Sequence, residues 1–336
     1  METTTAPAAD FPARVASFTL PDSHYLARVN VLVRVQAQCS TDGMTTHSNP
    51  ISHDVTTRRP RDPSRYYQVG PTPFYATRYD QRFSYGLYVP TGYARQAEEP
   101  LPLVVVMHGT GRAAEAYRDA FAEFAEQYRC LIVAPLFPAG IGDPGDLHNF
   151  KFIEYEGIRF DDILLSILDE VQERYHVAAD RFSLFGFSGG GQFAHRFFYL
   201  HPDRLTAVSI GAPGRITMLD PQQRWWLGTA DFEERFGRSI DLEAMRRVRV
   251  QLVVGAQDTE TWEINNRGGS NWMDGADAIG RTRVERLQAL SKNLDELGVA
   301  NRLDLVPGVA HRGLLVIPAV QDFLASVLTE QRATAG

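Results

Sequence analysis

A serine stands among four glycines in residues 183–197, SLFGFSGGGQFAHRF, between an apolar run and a helix-like run. Two kinds of chemistry need this much backbone freedom around one hydroxyl. A glycine-rich turn can cradle a phosphate on its N–H groups, or it can hold a nucleophilic serine at a sharp strand-to-helix turn. The surrounding sequence decides between the two.

The phosphate interpretation rests on Gly189, Gly191 and Ala194, which satisfy the spacing G-x-G-x-x-A after an apolar run. A dinucleotide-binding turn also needs an acidic residue about 20 positions further on, at the end of the next strand. That region reads VSIGAPG and holds no acid, and no Gly-Lys-Ser/Thr sequence closes the turn. The phosphate interpretation therefore has weak support.

The nucleophile interpretation rests on Gly186, Ser188 and Gly190, which satisfy the pattern G-x-S-x-G. The residues that flank the serine must be small, because the strand and the helix pass close together there, and glycine meets this need. A serine hydroxyl also needs a base to take its proton and an acid to orient that base. Both should follow Ser188 in the chain, at the ends of later strands.

Nine histidines compete for the role of the base. His311 follows the run NRLDLVPGVA and lies between Gly308 and Gly313, so we predict that it reaches the serine from a loop. His195 lies seven residues after Ser188. This spacing is about two helical turns, so we predict a structural role for His195 on the helix that follows the serine.

Asp258 is the predicted acid, because it directly follows the buried-type run VQLVVGAQ. Glu260 and Glu263 follow closely and are the alternatives. The resulting order along the chain is serine, acid and histidine, with the last two after separate strands.

The oxyanion that forms during acyl transfer needs N–H donors. We predict one donor at the backbone of Gly189, at the start of the helix. The second should be Thr110 or Gly111, in the sequence HGTG that follows the apolar run PLVVVM. Glycine-bearing turns of this kind after an early strand supply such donors.

From about residue 82, apolar runs alternate with amphipathic segments, which predicts the α/β class, a mostly parallel central sheet with helices on both faces. We predict one continuous helix over residues 113–128 and another over residues 276–297. A short helical, cap-like excursion over about residues 215–245 and a loop over 259–277 interrupt the alternation. Both follow strand ends, where ligands bind in such sheets.

On these residues the chain resembles the α/β-hydrolase superfamily over about residues 82–330. The stretch from the helix FDDILLSILDEVQERY to the sequence HPD is similar to bacterial esterases, feruloyl esterases and polyhydroxybutyrate depolymerases. The resemblance implies the α/β-hydrolase fold and a serine hydrolase that needs no metal and no cofactor. Three departures weaken a polymer substrate: no secretory signal, Thr110 in place of a glycine, and the tryptophan-bearing excursion.

Carboxylesterase is the favoured function. Polyhydroxyalkanoate-oligomer depolymerase, lactonase, thioesterase, peptidase and acyltransferase can use the same residues and are alternatives. From another class, the fold could serve a ligand-binding receptor with a vestigial triad.

Several aromatic residues lie on segments that should surround the serine, and four of them are the candidate substrate-binding residues: Trp225, Trp226, Trp262 and Phe150. For any one of them, pinning a loop to the domain is the more usual role. Together they predict an apolar pocket and a preference for esters of small hydrophobic or aromatic acids or alcohols.

The formal net charge of −7 argues against a broad surface for nucleic acids or anionic membranes. No apolar run reaches the length of a membrane span, and the N-terminus has no apolar core of a signal peptide. We expect a cytoplasmic protein that acts on a small-molecule ester, with no nucleic-acid or membrane partner. The oligomeric state stays open.

Residues 1–64 form an extension before the domain over 65–336. Its polar, proline-bearing composition predicts poor order, apart from a strand-like run VNVLVRVQA. Met44 is an alternative start site. The basic cluster between Arg58 and Arg65 is a solvated linker in the favoured interpretation and a contact for an anionic partner in the other.

Removal of the residues before about Arg59 should leave the domain folded, because such a segment buries little apolar surface. Thermal denaturation of the truncated and full-length chains measures this. A fall in Tm of more than about 4 °C, roughly 2 kcal/mol for a domain of this size, would show that the extension is docked on the domain.

Overall fold

The computed structural model describes residues 67–335. The extension over residues 1–64, with Met44 and the basic cluster, lies outside the described residues. The strands are β1 (Gly70–Pro71), β2 (Tyr75–Ala76), β3 (Ser84–Val89), β4 (Leu101–Met107), β5 (Leu131–Leu136), β6 (Glu154–Tyr155), β7 (Ile158–Arg159), β8 (Val177–Phe187), β9 (Leu205–Gly211), β10 (Arg249–Gly255) and β11 (Asn301–Val306). The helices are α1 (Ala114–Ala120), α2 (Ala122–Gln127), α3 (Phe160–Arg174), α4 (Gly189–Leu200), α5 (Phe232–Phe236), α6 (Leu242–Met245), α7 (Arg283–Glu296) and α8 (Gly313–Ala335).

Nine strands form the central sheet in the order β1-β3-β5-β4-β8-β9-β10-β11, with β2 paired to β3. Every neighbouring pair from β5 to β11 is parallel, and β3 is antiparallel to β1, β2 and β5. The remaining two strands, β6 and β7, form a separate hairpin. The helices pack around the central sheet, which confirms the predicted mostly parallel α/β architecture.

The centre of the sheet is buried, as the continuous apolar runs predict. In β4, Val104, Val105 and Val106 have no exposed surface. Helix α3 covers the sheet with side chains at helical spacing. Its fully or almost fully buried apolar residues are Phe160, Ile163, Leu164, Ile167, Leu168 and Val171.

Two helices have other bounds in the structure than the sequence predicted. The continuous pattern over residues 113–128 breaks at Phe121, whose N–H bonds to the carbonyl oxygen of Arg118 in a tighter turn that buries the ring. The second helix, α7, starts at Arg283 rather than near residue 276. Thr282 and Glu285 form a capping box there, and such a box fixes a helix start.

The C-terminal helix also departs from expectation. By length and composition alone, residues 313–333 could cross a membrane, contrary to the sequence-based statement that no run is long enough. In the fold, however, Val316, Val320, Leu324 and Val327 of α8 are buried in the domain core. This packing accounts for the apolar face of the helix.

The turn between β8 and α4 is packed backbone against backbone. A Cβ on Gly186 would overlap the carbonyl oxygen of Gly190, and a Cβ on Gly191 would overlap that of Gly211. Glycine at 186 and 190 was expected for this reason. Gly191 has the same constraint from β9.

Gly191→Ala should destabilise the domain by about 1–3 kcal/mol or more, since the new methyl group meets backbone that cannot rotate away. The gain in helix propensity from alanine, about 1 kcal/mol, does not offset this. Chemical denaturation measures the change, and Gly92→Ala is the matched control, because a Cβ on Gly92 meets nothing within 4 Å. Equal stability of the two variants would contradict the packing argument.

Candidate active site

Three strand ends bring Ser188, Asp258 and His311 together. Nε2 of His311 lies 3.0 Å from Oγ of Ser188, and Nδ1 lies 2.6 Å from Oδ2 of Asp258. A carboxylate accepts hydrogen bonds, so Nδ1 carries the ring proton and Nε2 is free to accept another. The arrangement can withdraw the proton from the serine hydroxyl.

Ser188 has a backbone conformation that few side-chain-bearing residues adopt, with φ 57° and ψ −112°. It joins the last residue of β8 to the first residue of α4. Its N–H donates to the carbonyl oxygen of Gly211 at 2.8 Å, and its carbonyl oxygen accepts from the N–H of Gln192 at 3.0 Å. These bonds hold the strained residue in place, with its hydroxyl at the edge of the sheet.

Asp258 is fully buried, and besides its hydrogen bond to His311 it has an ionic partner, Arg283. A guanidinium nitrogen of Arg283 lies 3.4 Å from Oδ1 of Asp258, and Arg283 also pairs with Glu263. Of the three predicted acids, Asp258 is the one bonded to the histidine in the part of the chain that the structure describes. Arg283 was not singled out from the sequence, because it lies 25 residues beyond the acid.

The predicted oxyanion donors lie beside the serine. A Cβ on Gly189 would be 3.0 Å from the backbone nitrogen of Thr110, so these two peptide groups share one small space. Gly111 lines the cavity over Ser188. Within residues 67–335 the N–H groups of Thr110 and Gly111 donate to no protein acceptor. Both are thus available to a substrate oxygen.

Two other histidines, His108 and His195, are fully buried, and their rings hold backbone segments together. Nε2 of His108 accepts from the N–H of Phe137 at 3.0 Å, and its Nδ1 donates to the carbonyl oxygen of Gly109 at 2.8 Å. Burial lowers the pKa of His108 to about 4, so the ring stays neutral and fixes the turn that carries Thr110. His195 bridges α4 to the N–H of Thr217 at 3.0 Å in the same manner, with burial lowering its pKa.

A cavity of about 340 Å³ lies over Ser188. Its aromatic walls are Tyr117 and Phe187, and Glu263 lies on its border. The ring of Phe187 packs on His311 with centroids 4.9 Å apart. Sequence reasoning missed both rings. The signal for Phe187 was its place beside the serine in the G-x-S-x-G turn, whereas Tyr117 lies on α1 and gave none.

The four predicted pocket aromatics have other positions. Phe150 is fully buried in the core, and Trp226 packs in a small cluster with Leu227 and Ala276. Trp225 packs against the rings of α5, and Trp262 is 74% exposed. None of the four is among the residues that line the described cavity. Three of them thus hold loops on the domain, the role that is usual for a single such residue.

A lysine that the sequence did not indicate lies against the serine turn. Lys151 is 1% exposed, and its Cε would lie 2.9 Å from a Cβ on Gly189. Its Nζ donates to Nδ1 of His148 at 2.9 Å. Burial, and next the charge of Arg112, lower the pKa of Lys151 to about 7.

No group of three or more His, Cys, Asp or Glu side chains within residues 67–335 is placed to hold a metal ion.

Comparison with known proteins identifies the fold. No protein-family model matches the chain, and no curated protein matches it. Poly(aspartic acid) hydrolase-1 from Sphingomonas sp. KT-1 is a similar solved structure, with a TM-score of 0.58 and 22% identity over 71% of this chain and 92% of that one. A poly(3-hydroxybutyrate) depolymerase from Bordetella parapertussis also has a TM-score of 0.58, with 24% identity over 72% of this chain and 85% of that one. The chain has the α/β-hydrolase fold.

Lys151→Met should change how stability depends on pH. The unfolded lysine keeps its proton up to about pH 10, whereas the folded one loses it near 7, so between these values the unfolded chain binds more protons. The stability contribution of Lys151 therefore rises from pH 7 to 10. Relative to the parent, the variant should be most stable at pH 6 and should lose this advantage by pH 10.

Urea unfolding of parent and variant at pH 6, 8 and 10 measures that difference. Lys292→Met is the control, because the side chain of Lys292 is 79% exposed and should give no pH-dependent difference. A constant difference between Lys151→Met and the parent at all three pH values would contradict the expected titration of the buried lysine.

Proposed function

We propose that the protein is a serine hydrolase that cleaves carboxylic esters through an acyl-enzyme on Ser188. The position of His311 carries the proposal, since its ring lies 3.0 Å from the serine oxygen and 2.6 Å from Asp258. Hydrogen-bond reach to the proton that it must abstract is the first requirement of a general base.

In the first half of the reaction, Oγ of Ser188 attacks the carbonyl carbon while Nε2 of His311 takes its proton. Asp258 stays ionised and stabilises the imidazolium through Nδ1. The carbonyl oxygen becomes an oxyanion, which accepts from the N–H of Gly189 and from that of Thr110 or Gly111. When the tetrahedral intermediate collapses, the bond to the alcohol oxygen breaks and Nε2 gives that oxygen the proton.

In the second half, a water molecule takes the place of the alcohol. His311 removes one proton from the water, whose oxygen attacks the acyl carbon. The bond between the acyl carbon and Oγ then breaks, and Oγ takes the proton back from Nε2. One ester and one water become one acid and one alcohol, and the enzyme returns to its starting state.

The proposed substrate is an ester of a small hydrophobic or aromatic acid or alcohol. Tyr117 and Phe187, rather than the four aromatics predicted from the sequence, support this preference. A volume of about 340 Å³ is near the lower limit for small-molecule sites, which favours a short acyl group.

An oligomeric substrate is an alternative, because two solved structures with the same fold are named for polymers, poly(aspartic acid) and poly(3-hydroxybutyrate). Lactonase, thioesterase and acyltransferase differ in the leaving group or in the acceptor and use the same residues. A receptor with a vestigial triad is disfavoured by Ser188, since its φ of 57° is a strain that ligand binding alone does not need. Cytoplasmic location and a small-molecule partner stay predictions.

Ser188→Ala and His311→Ala should each lower kcat on a short-chain aryl ester by about 10⁴-fold or more, and Asp258→Asn by a similar factor. The parent should react with a fluorophosphonate and Ser188→Ala should not. Ser326→Ala, on α8, is the control for serine replacement. Near-normal turnover by Ser188→Ala would overturn the mechanism.

The acid is tested separately with Glu260→Gln and Glu263→Gln. Neither glutamate bonds to the histidine among the described residues, so both variants should keep much more activity than Asp258→Asn. A mild Asp258→Asn beside a severe glutamate variant would move the role of the acid and leave the nucleophile unchanged.

A further inference from the structure

Within the described part of the chain, two largely buried cations beside the serine turn have no carboxylate bonded to them. Lys151 is 1% exposed and Arg215 is 8% exposed. Within residues 67–335 no carboxylate lies within 4 Å of either charged group, and the guanidinium of Arg215 donates to no protein acceptor. Buried charges are normally paired with an opposite charge. Nζ of Lys151 has only the neutral partner His148, and the guanidinium nitrogens of Arg215, which are not among the fully buried atoms without a hydrogen bond, keep access to an entering ligand.

The neighbouring charges act on the two cations in both directions. Arg215 and Arg112 both act on Lys151, and each disfavours its protonated form. Glu263 favours the charged forms of both Lys151 and Arg215, and Asp146 favours that of Lys151, but Glu263 is bonded to Arg283. Among the described residues, the two cations are thus balanced only from a distance.

The two cations are also held rigidly. Arg196 of α4 is fully buried and donates to the carbonyl oxygen of Lys151 at 2.6 Å and to that of Arg215 at 3.2 Å. The ring of Phe152 lies 4.7 Å from its guanidinium carbon, and the rings of Trp225 and Trp226 lie 5.5 and 5.9 Å from it. One covered guanidinium therefore fixes both cation-bearing segments relative to the helix that starts at the nucleophile.

Their location connects the cations with the reaction. A Cβ on Gly189 would lie 2.9 Å from Cε of Lys151 and 3.0 Å from the backbone nitrogen of Thr110. Lys151 therefore lies beside the place where the oxyanion forms in the proposed mechanism. Arg215 acts electrostatically on Glu263, which borders the cavity over Ser188. Lys151 and Arg215 are not themselves among the residues that line this cavity, whose aromatic residues are Tyr117 and Phe187.

We propose that Lys151 and Arg215 bind a carboxylate of the substrate, so that the preferred ester carries a negative charge a few bonds from its scissile carbonyl. The inference rests on the proposed ester hydrolysis and names its substrate class. Arginine matches a carboxylate with two parallel N–H donors, and lysine adds a point charge. Tyr117 and Phe187 then contact the uncharged part of the same molecule.

The charged group can belong to the acid or to the alcohol, and two matched pairs distinguish these sources. For the acid, p-nitrophenyl hemiglutarate is compared with p-nitrophenyl valerate. For the alcohol, 4-acetoxybenzoate is compared with 4-acetoxybenzamide. The measured quantity is kcat/KM after subtraction of the uncatalysed rate, and in one pair the parent should prefer the carboxylate by about 10-fold or more.

Lys151→Met and Arg215→Met should each reduce that preference about 10-fold, which corresponds to the loss of one charged hydrogen bond. Arg215→Lys keeps the charge and should retain part of the preference. Lys292→Met removes the other lysine of the chain, far along the sequence on α7, and should leave the preference unchanged. Thermal denaturation checks that each variant is folded.

A parent that hydrolyses the neutral ester at least as fast in both pairs overturns the inference and leaves the proposed ester hydrolysis intact. A preference that survives in Arg215→Met and Lys151→Met also overturns it. If no ester is hydrolysed and no fluorophosphonate reacts, the proposed function is wrong. Calorimetric titration of glutarate then decides the anion site: binding to the parent that is lost in Arg215→Met supports it, and no binding to the parent overturns it.

Discussion

The turn that carries Ser188, the proposed nucleophile, depends on contacts between backbone atoms that leave no room for a side chain. Gly190 lies against the carbonyl oxygens that end β4, and Gly191 lies against the carbonyl oxygen that ends β9. These contacts bring α4, β4, β8 and β9 to one point, and Ser188 takes up the unfavourable φ that the approach requires. The strained conformation is tolerated because buried strands of the sheet keep Ser188 in place. In this conformation the hydroxyl of Ser188 points toward His311.

The charges around this turn are arranged in two different ways. On the side of Asp258, buried Arg283 contacts both the buried Asp258 and the partly exposed Glu263, so the two buried charges are partners of each other. On the side of the oxyanion donors, Lys151 and Arg215 have none among the described residues. A compensated side suits a triad that must keep its geometry. An uncompensated side gains most when an anion enters, since a buried attraction is screened little by water.

The central sheet and the meeting of Ser188, Asp258 and His311 could be predicted because their signals are local. Apolar runs show the strands, the glycines show the turn, and parallel strands bring their carboxyl ends to one edge whatever the loops do. The other residues around the site could not be predicted, since their positions arise from packing between distant segments. They are Arg283, Lys151, Arg215 and Tyr117. The tryptophans gave a misleading signal for the same reason: Trp225 and Trp226 cover the buried guanidinium of Arg196, which no spacing rule connects with them.

The choice of lysine at position 151 has a physical reason in this setting. The chain holds two lysines, Lys151 and Lys292, and uses arginine at its other basic positions. An arginine keeps its charge in proteins, whereas a buried lysine can release its proton. The pKa of Lys151 is lowered to about 7, so Lys151 can relieve the repulsion from Arg112 and Arg215 by losing one proton. An entering carboxylate raises that pKa again, because it stabilises the charged form. Arg215 thus supplies a permanent charge, and Lys151 supplies one that forms fully when the anion is present.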